Sequence, residues 1–188
     1  MNDNLFKLFD PKKNNISYIT SLPGNYIFVL REEVNLPDIG ITPNYKTFKG
    51  LNVIYTGQTK KSLKQRLNIH FQGIARRSTF RKSIGRLLNL TLIPYGDGKT
   101  SYSDKDESRI SNWLQDSTIC YYYINDTPDL IEQELINKFS PPLNIQKTTH
   151  LVSNAEYSLF SSISSIFKAI VDKLTFLSTL SWKSSVHN

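Results

Sequence analysis

A few side chains in this sequence are spaced so that they could handle a proton or an anionic charge. Glu132 has Leu135, Ile136 and Phe139 at i+3, i+4 and i+7, so on a helix it lies on the apolar stripe that packs inward. Ionised carboxylates are rarely buried alone, and one on a core-facing stripe meets either a cationic side chain or a metal ion. The residues around Glu132 are compatible with both. Glu134 lies off that stripe, four positions before Lys138, which is the spacing of a surface ion pair worth about 0.3–0.5 kcal/mol.

Arg66 and His70 form a second pair, one helical turn apart and flanked by Leu63 and Leu67. A guanidinium can neutralise charge that develops on a phosphate, and an imidazole can accept or relay a proton near neutral pH. An amphipathic helix with a solvated arginine and a boundary histidine would have the same spacing. Tyr26 and Tyr55 fall on predicted strands, where a phenol either packs its ring in the core or offers its hydroxyl to a site. The chain has 10 tyrosines, so their presence on strands does not decide between these roles.

These residues need elements to hold them. Asn25–Leu30 is predicted as a central strand, because Tyr26, Phe28 and Leu30 share one face while Ile27 and Val29 share the other. Val53–Thr56 is a second strand. Ile119–Ile124, with its run of three tyrosines, is a third. Ser62 is a plausible N-cap for a helix that runs to about Phe71, carrying Leu63, Leu67 and Phe71 as its buried stripe. Further helices are expected over Thr79–Leu88, over Glu107–Gln115, and from Thr127-Pro128 to Ser140. Arg31–Leu51, broken by Pro37, Gly40, Pro43 and Gly50, reads as a long loop or insertion. The organisation is thus α+β: an N-terminal extension over 1–15, one domain over 16–150, and an amphipathic helical tail over 151–188.

Composition narrows the class of partner. The net charge is +7, and Lys60, Lys61, Lys64, Arg66, Arg76, Arg77, Arg81, Lys82 and Arg86 fall in a stretch with no Asp or Glu from 58 to 96. Such a field attracts a polyanion, although it also keeps a protein soluble. The lone Cys120 excludes an internal disulfide and suits a reducing compartment. Met1–Thr20 has no uninterrupted apolar core of a signal peptide, and Lys168, Asp172 and Lys173 interrupt the most apolar region. A cytoplasmic protein with no membrane partner is expected.

Five separated blocks together resemble the GIY-YIG nuclease family. Gly24-Asn25-Tyr26 is similar to the first half of the signature and Tyr55-Thr56-Gly57 to the second. Leu63-Lys64-Gln65-Arg66 and then His70 follow, with Glu132-Gln133-Glu134-Leu135-Ile136 and Pro141-Pro142-Leu143-Asn144 after them. Asn25 and Thr56 stand where the family name has isoleucine. The 28 residues between Tyr26 and Tyr55 resemble the spacing of the family's small restriction enzymes rather than that of its excision-repair members.

The resemblance implies a small three-stranded antiparallel sheet flanked by helices and a nuclease that hydrolyses DNA, with restriction or defence as the leading setting; RNA carries the same ester. It implies that Glu132 holds one divalent cation, Mg²⁺ or Mn²⁺, and that Arg66 neutralises charge on the phosphate. Tyr26 would act as base on water, with His70 or a lysine helping its proton leave. Tyr55 would orient water or phosphate, and Asn144 would fix the backbone around the site. The base role needs a depressed phenol pKa or a concerted relay, and the cationic surroundings make that reasonable. Lys60, Lys61, Arg76, Arg77, Arg81, Lys82 and Arg86 are the expected DNA-contacting residues. The alternatives are an inactive nucleic-acid-binding module of the same fold, or an assembly protein acting through its C-terminal helix. An apolar stripe over 157–182 could serve a homodimer or dock on its own domain.

Overall fold

A computed structural model describes residues 3–37, 43–95 and 98–144. The tail over 151–188, with its expected helix, lies outside them.

The strand expected at Asn25–Leu30 is β2 (Gly24–Leu30), and all seven of its residues are buried. Its alternating apolar faces each meet a layer of packing, so it cannot be an edge. On one side it pairs antiparallel with β4 (Leu51–Thr59), and on the other with β7 (Thr118–Ile124). β1 (Lys7–Phe9) extends the sheet beyond β7, and β3 (Thr47–Phe48) extends it beyond β4. The order is β1-β7-β2-β4-β3. The expected three-stranded sheet is therefore five-stranded. The additional strands have three and two residues, too few to show a period. One comes from the presumed N-terminal extension and the other from the presumed loop over 31–51.

Among the described residues, four α-helices flank the sheet. α1 (Leu63–Gln72) is capped by Ser62, whose Oγ accepts from the Gln65 N–H at 3.2 Å. α2 is Thr79–Leu87, α3 is Asp104–Ser117 and α4 is Pro128–Phe139. α4 ends where Ser140 turns left-handed at φ 43° before Pro141. α3 begins three residues before the position expected, because the Ser103 hydroxyl caps its first turn. A hairpin that the sequence did not suggest, β5 (Ile93–Tyr95) and β6 (Lys99–Ser101), joins α2 to α3.

The two faces of β2 divide the core. Tyr26, Phe28 and Leu30 pack with Leu63, Leu67, Phe71, Phe80, Ile84, Ile110 and Leu114 of α1, α2 and α3. Ile27 and Val29 pack with Leu135 and Phe139 of α4. Cys120 sits mid-sheet, paired in register with Phe28 on one side and Phe9 on the other, and is wholly buried. Between Phe28 and Val29 the β2–β4 register shifts, so Phe28 faces Tyr55 while Val29 faces Val53. This irregularity leaves both Ile54 and Tyr55 in the helix-side core.

Candidate active site

The helix-side end of β2 and β4 holds a cluster of phenol, imidazole and guanidinium. Tyr26 is completely buried, with its hydroxyl 2.8 Å from His70 Nε2 and accepting from Arg66 Nε at 3.1 Å. Arg66 and His70 reach the same hydroxyl because they lie one turn apart on α1, whose Leu63–Leu67–Phe71 stripe seats the helix on the sheet. Tyr26 pairs in register with Gly57. A Cβ at Gly57 would come within 2.5–2.7 Å of the Tyr26 hydroxyl and ring edge, so this position needs glycine for close approach. Gly24 has the same constraint, because a side chain there would collide with the Tyr123 carbonyl.

Tyr55 stacks on Phe80 with ring centroids 4.4 Å apart and planes 16° off parallel. Thr79 hydrogen-bonds its hydroxyl. Arg66 also donates from Nη1 to the Arg77 carbonyl at 3.3 Å. Glu132, 8% exposed on α4, is close enough for its charge to act on Tyr26, Tyr55 and Arg66. Tyr26, Tyr55, Arg66 and His70 are thus brought into direct contact, and Glu132 lies within electrostatic reach of three of them. Asn144 lies behind them, with Oδ1 accepting from the Thr56 N–H at 2.9 Å and Nδ2 donating to the Thr56 carbonyl at 2.8 Å. Its amide thus pairs with β4 as a neighbouring strand would, between Tyr55 and Gly57. Asn25, the residue in place of isoleucine, donates from Nδ2 to the Pro128 carbonyl at 2.8 Å and so ties β2 to the start of α4.

Burial sets the protonation states. It drives the Tyr26 pKa well above the usual phenol range, helped by Tyr55 and opposed by Arg66. Tyr55 is raised for the same first reason. Arg66 thus does not bring the Tyr26 pKa below its ordinary value, because desolvation of the phenolate is the larger effect, and of the two expected routes the concerted relay is the one that remains. Burial, then the charges of Arg66 and Arg81, pushes His70 well below its ordinary value, so the ring is neutral. Burial also acts against the Arg66 charge, but Tyr26, Tyr55 and Glu132 outweigh it and the net shift is upward.

The basic residues divide by placement. Lys60, Lys61, Arg77 and Arg86 are exposed, and Arg76 and Lys82 are half-buried. Lys60 pairs with Asp129 at 2.6 Å, and the Arg76 guanidinium lies 4.6 Å from the centre of the Tyr95 ring. Arg81 does not belong with them. It is 0% exposed, and its guanidinium pairs with Glu107 at 2.7 Å while donating to the His70 carbonyl at 3.0 Å. Glu107 in turn accepts from the Ala75 N–H at 2.7 Å and from the Ser101 hydroxyl at 2.9 Å. Arg81 is thus a buried tie between α1, α2 and α3, and it has no face for a phosphate. Lys138 likewise bonds Asp3 at 3.0 Å, where a Glu134 partner was expected.

Ser78, Thr79, Phe80 and Glu107 escaped the sequence reading as parts of the site or its support. Glu107 did carry a usable signal. Ile110, Ser111 and Leu114 stand at i+3, i+4 and i+7 from it, the inward-facing pattern that singled out Glu132.

A phenol, a neutral imidazole, a guanidinium and a carboxylate at one end of a curled antiparallel sheet have the components to move a proton beside a developing negative charge, as a hydrolase of anionic esters must. The model of the GIY-YIG catalytic domain matches residues 24–168, more than half of the chain, and the chain belongs to the GIY-YIG nuclease family. Neither the curated proteins nor the solved structures include a significant match.

Proposed function

We propose that this chain is a divalent-metal-dependent endonuclease that hydrolyses phosphodiester bonds in DNA. The observation that carries the reading is the Tyr26 hydroxyl held between Arg66 Nε and His70 Nε2, in a site that also contains Glu132. Because Tyr26 is protonated, it serves as base only in a relay. Its hydroxyl oxygen takes a proton from water while its own proton passes to neutral His70. Tyr55, immobilised by Phe80, orients the water or phosphate. Arg66 keeps part of its guanidinium for the phosphate oxygens, where its charge counts most in the transition state.

The donor set suits a hard cation. Among the described residues no three His, Cys, Asp or Glu side chains converge, so Glu132 would be the protein ligand. A single carboxylate with waters and a substrate phosphate is how Mg²⁺ is commonly held, and Mn²⁺ accepts the same oxygens. When bound, the ion supplies positive charge that stabilises the scissile phosphate and the departing 3′ oxygen. Lys60, Lys61, Arg76, Arg77, Lys82 and Arg86 would track the backbone. One site cuts one strand, so a homodimer through residues 157–182 would supply the second cut. Restriction or another defence against foreign DNA, in the cytoplasm, is the setting we favour.

The test is cleavage of plasmid, single-stranded DNA and RNA with Mg²⁺, with Mn²⁺ and with EDTA. Metal-dependent cutting of DNA is expected. Glu132→Ala should abolish cutting while leaving the melting temperature and most DNA binding in place, and Glu134→Ala should have little effect. Loss of activity in Glu134→Ala with activity kept in Glu132→Ala would place the metal elsewhere. DNA binding without cleavage under every condition would favour the inactive binding module.

A further inference from the structure

His70 is wholly buried and uses both ring nitrogens. Nε2 lies 2.8 Å from the Tyr26 hydroxyl, and Nδ1 lies 2.8 Å from the Ser78 Oγ. Two proton arrangements satisfy these distances. Either Tyr26 donates to Nε2 while Nδ1–H donates to Ser78, or Ser78 donates to Nδ1 while Nε2–H donates to Tyr26. The partner of one nitrogen selects the state of the other. A phenol is intrinsically a much stronger acid than an aliphatic alcohol, and burial opposes ionisation of both alike. The phenol is therefore the better donor and the poorer acceptor. Arg66 Nε donates a charged hydrogen bond to the Tyr26 oxygen, which polarises the phenol O–H further. Both effects favour the first arrangement.

Ser78 is itself held in place. It is 2% exposed and caps α2, with Oγ accepting from the Arg81 N–H at 3.0 Å. The Arg81 side chain donates to the His70 carbonyl at 3.0 Å. One residue thus anchors the serine through its backbone and the histidine through its guanidinium, while Glu107 on α3 neutralises it. The groups that act on the ring are Tyr26 from β2, Tyr55 from β4, Arg66 from its own helix, and Arg81 from α2 with Glu107 behind it.

We propose that Ser78 is a positioning residue that accepts the Nδ1–H of His70, holds the ring in the tautomer that Tyr26 and Arg66 favour, and so keeps Nε2 bare to accept the Tyr26 proton; the consequence for rate rests on the nuclease reading above. In the hydrolytic step the attacking water gives a proton to the Tyr26 oxygen and the Tyr26 proton moves to Nε2. The imidazolium keeps its Nδ1–H on Ser78, so no proton passes to the serine. The water oxygen bonds to phosphorus as the P–O3′ bond breaks, and the departing 3′ oxygen takes a proton from solvent. The proton on Nε2 then leaves through Tyr26 to a solvent water.

Long-range proton–nitrogen NMR on the full chain reads the tautomer without need of activity, and the chain has only three histidines to assign. At neutral pH, His70 should show a protonated Nδ1 and a bare Nε2; a protonated Nε2 overturns the assignment. Ser78→Gly removes the hydroxyl, and glycine is a tolerated N-cap. In that variant the buried Nδ1–H loses its acceptor, which offsets the preference set by Tyr26, and the ring should become a mixture of tautomers. Its kcat should fall by about tenfold or more with KM unchanged, and Ser78→Thr should restore both. An unchanged tautomer or an unchanged kcat in a folded Ser78→Gly also overturns the assignment. If the wild type has the expected tautomer and Ser78→Gly loses it, but the wild type cuts no DNA, the nuclease reading fails and the role of Ser78 stands.

Discussion

At the scale of single residues, the site depends on His70 staying neutral, and this has a cost in acid. Burial and two guanidinium groups hold its pKa well below 6.5 in the folded chain. The unfolded chain takes up a proton as pH falls through about 6.5, while the folded chain does not until much lower pH. The sign follows: stability is fully present above about pH 6.5 and declines as pH drops below it, at up to about 1.4 kcal/mol per pH unit for one proton. Melting temperatures measured from pH 8 to 5 should fall, and His70→Gln should flatten the dependence. Equal slopes in the two proteins would mean that another group dominates. Asp10, held below its ordinary value of 3.8 first by its bond to Arg31, loses its contribution only at still lower pH, so the windows are separate.

At the scale of elements, the same charge does different work on the two sides of one helix. Arg81 and Arg86 both lie on α2, yet Arg81 is sealed against Glu107 while Arg86 is exposed. Arg81→Met should leave Glu107 buried without its partner and cost about 3–5 kcal/mol, seen as a lower melting temperature. Arg77→Gln with Arg86→Gln should leave melting unchanged and reduce the salt dependence of DNA binding by about two phosphate contacts. An unaltered slope would place the DNA on another face. The sequence could not separate these arginines by counting charge. It did offer Ile84 and Leu88 at i+3 and i+7 from Arg81, the spacing of an inward-facing side chain. α1 was legible because its cap, its stripe and the Arg66–His70 pair all follow local helical spacing. The β5–β6 hairpin and β3 were not, since two or three residues carry no period. The contacts that matter most, Tyr26 over Gly57 and Asn144 on Thr56, depend on strands brought together from distant parts of the chain, which no local pattern encodes.

At the scale of the whole molecule, the number of sites per particle decides how a duplex is broken. A lone domain should convert supercoiled plasmid to a nicked circle before any linear form appears, whereas a dimer formed through residues 157–182 should yield linear product early. Light scattering on the full chain and on a version ending at Thr149 connects either pattern to mass; a monomer at micromolar concentration would rule out the dimer. The mid-sheet cysteine provides a separate readout of the fold as a unit. Cys120 is the only thiol in the chain and is enclosed between Phe28 and Phe9, with burial raising its pKa well above the usual thiol range. A thiol-reactive dye can reach it only when neighbouring strands part, so its labelling should be at least about a thousandfold slower in the native protein than in denaturant. Bound DNA that clamps the sheet should slow it further. The native sequence therefore contains its own clock for opening, and the stability of any variant can be timed by colour without an introduced probe.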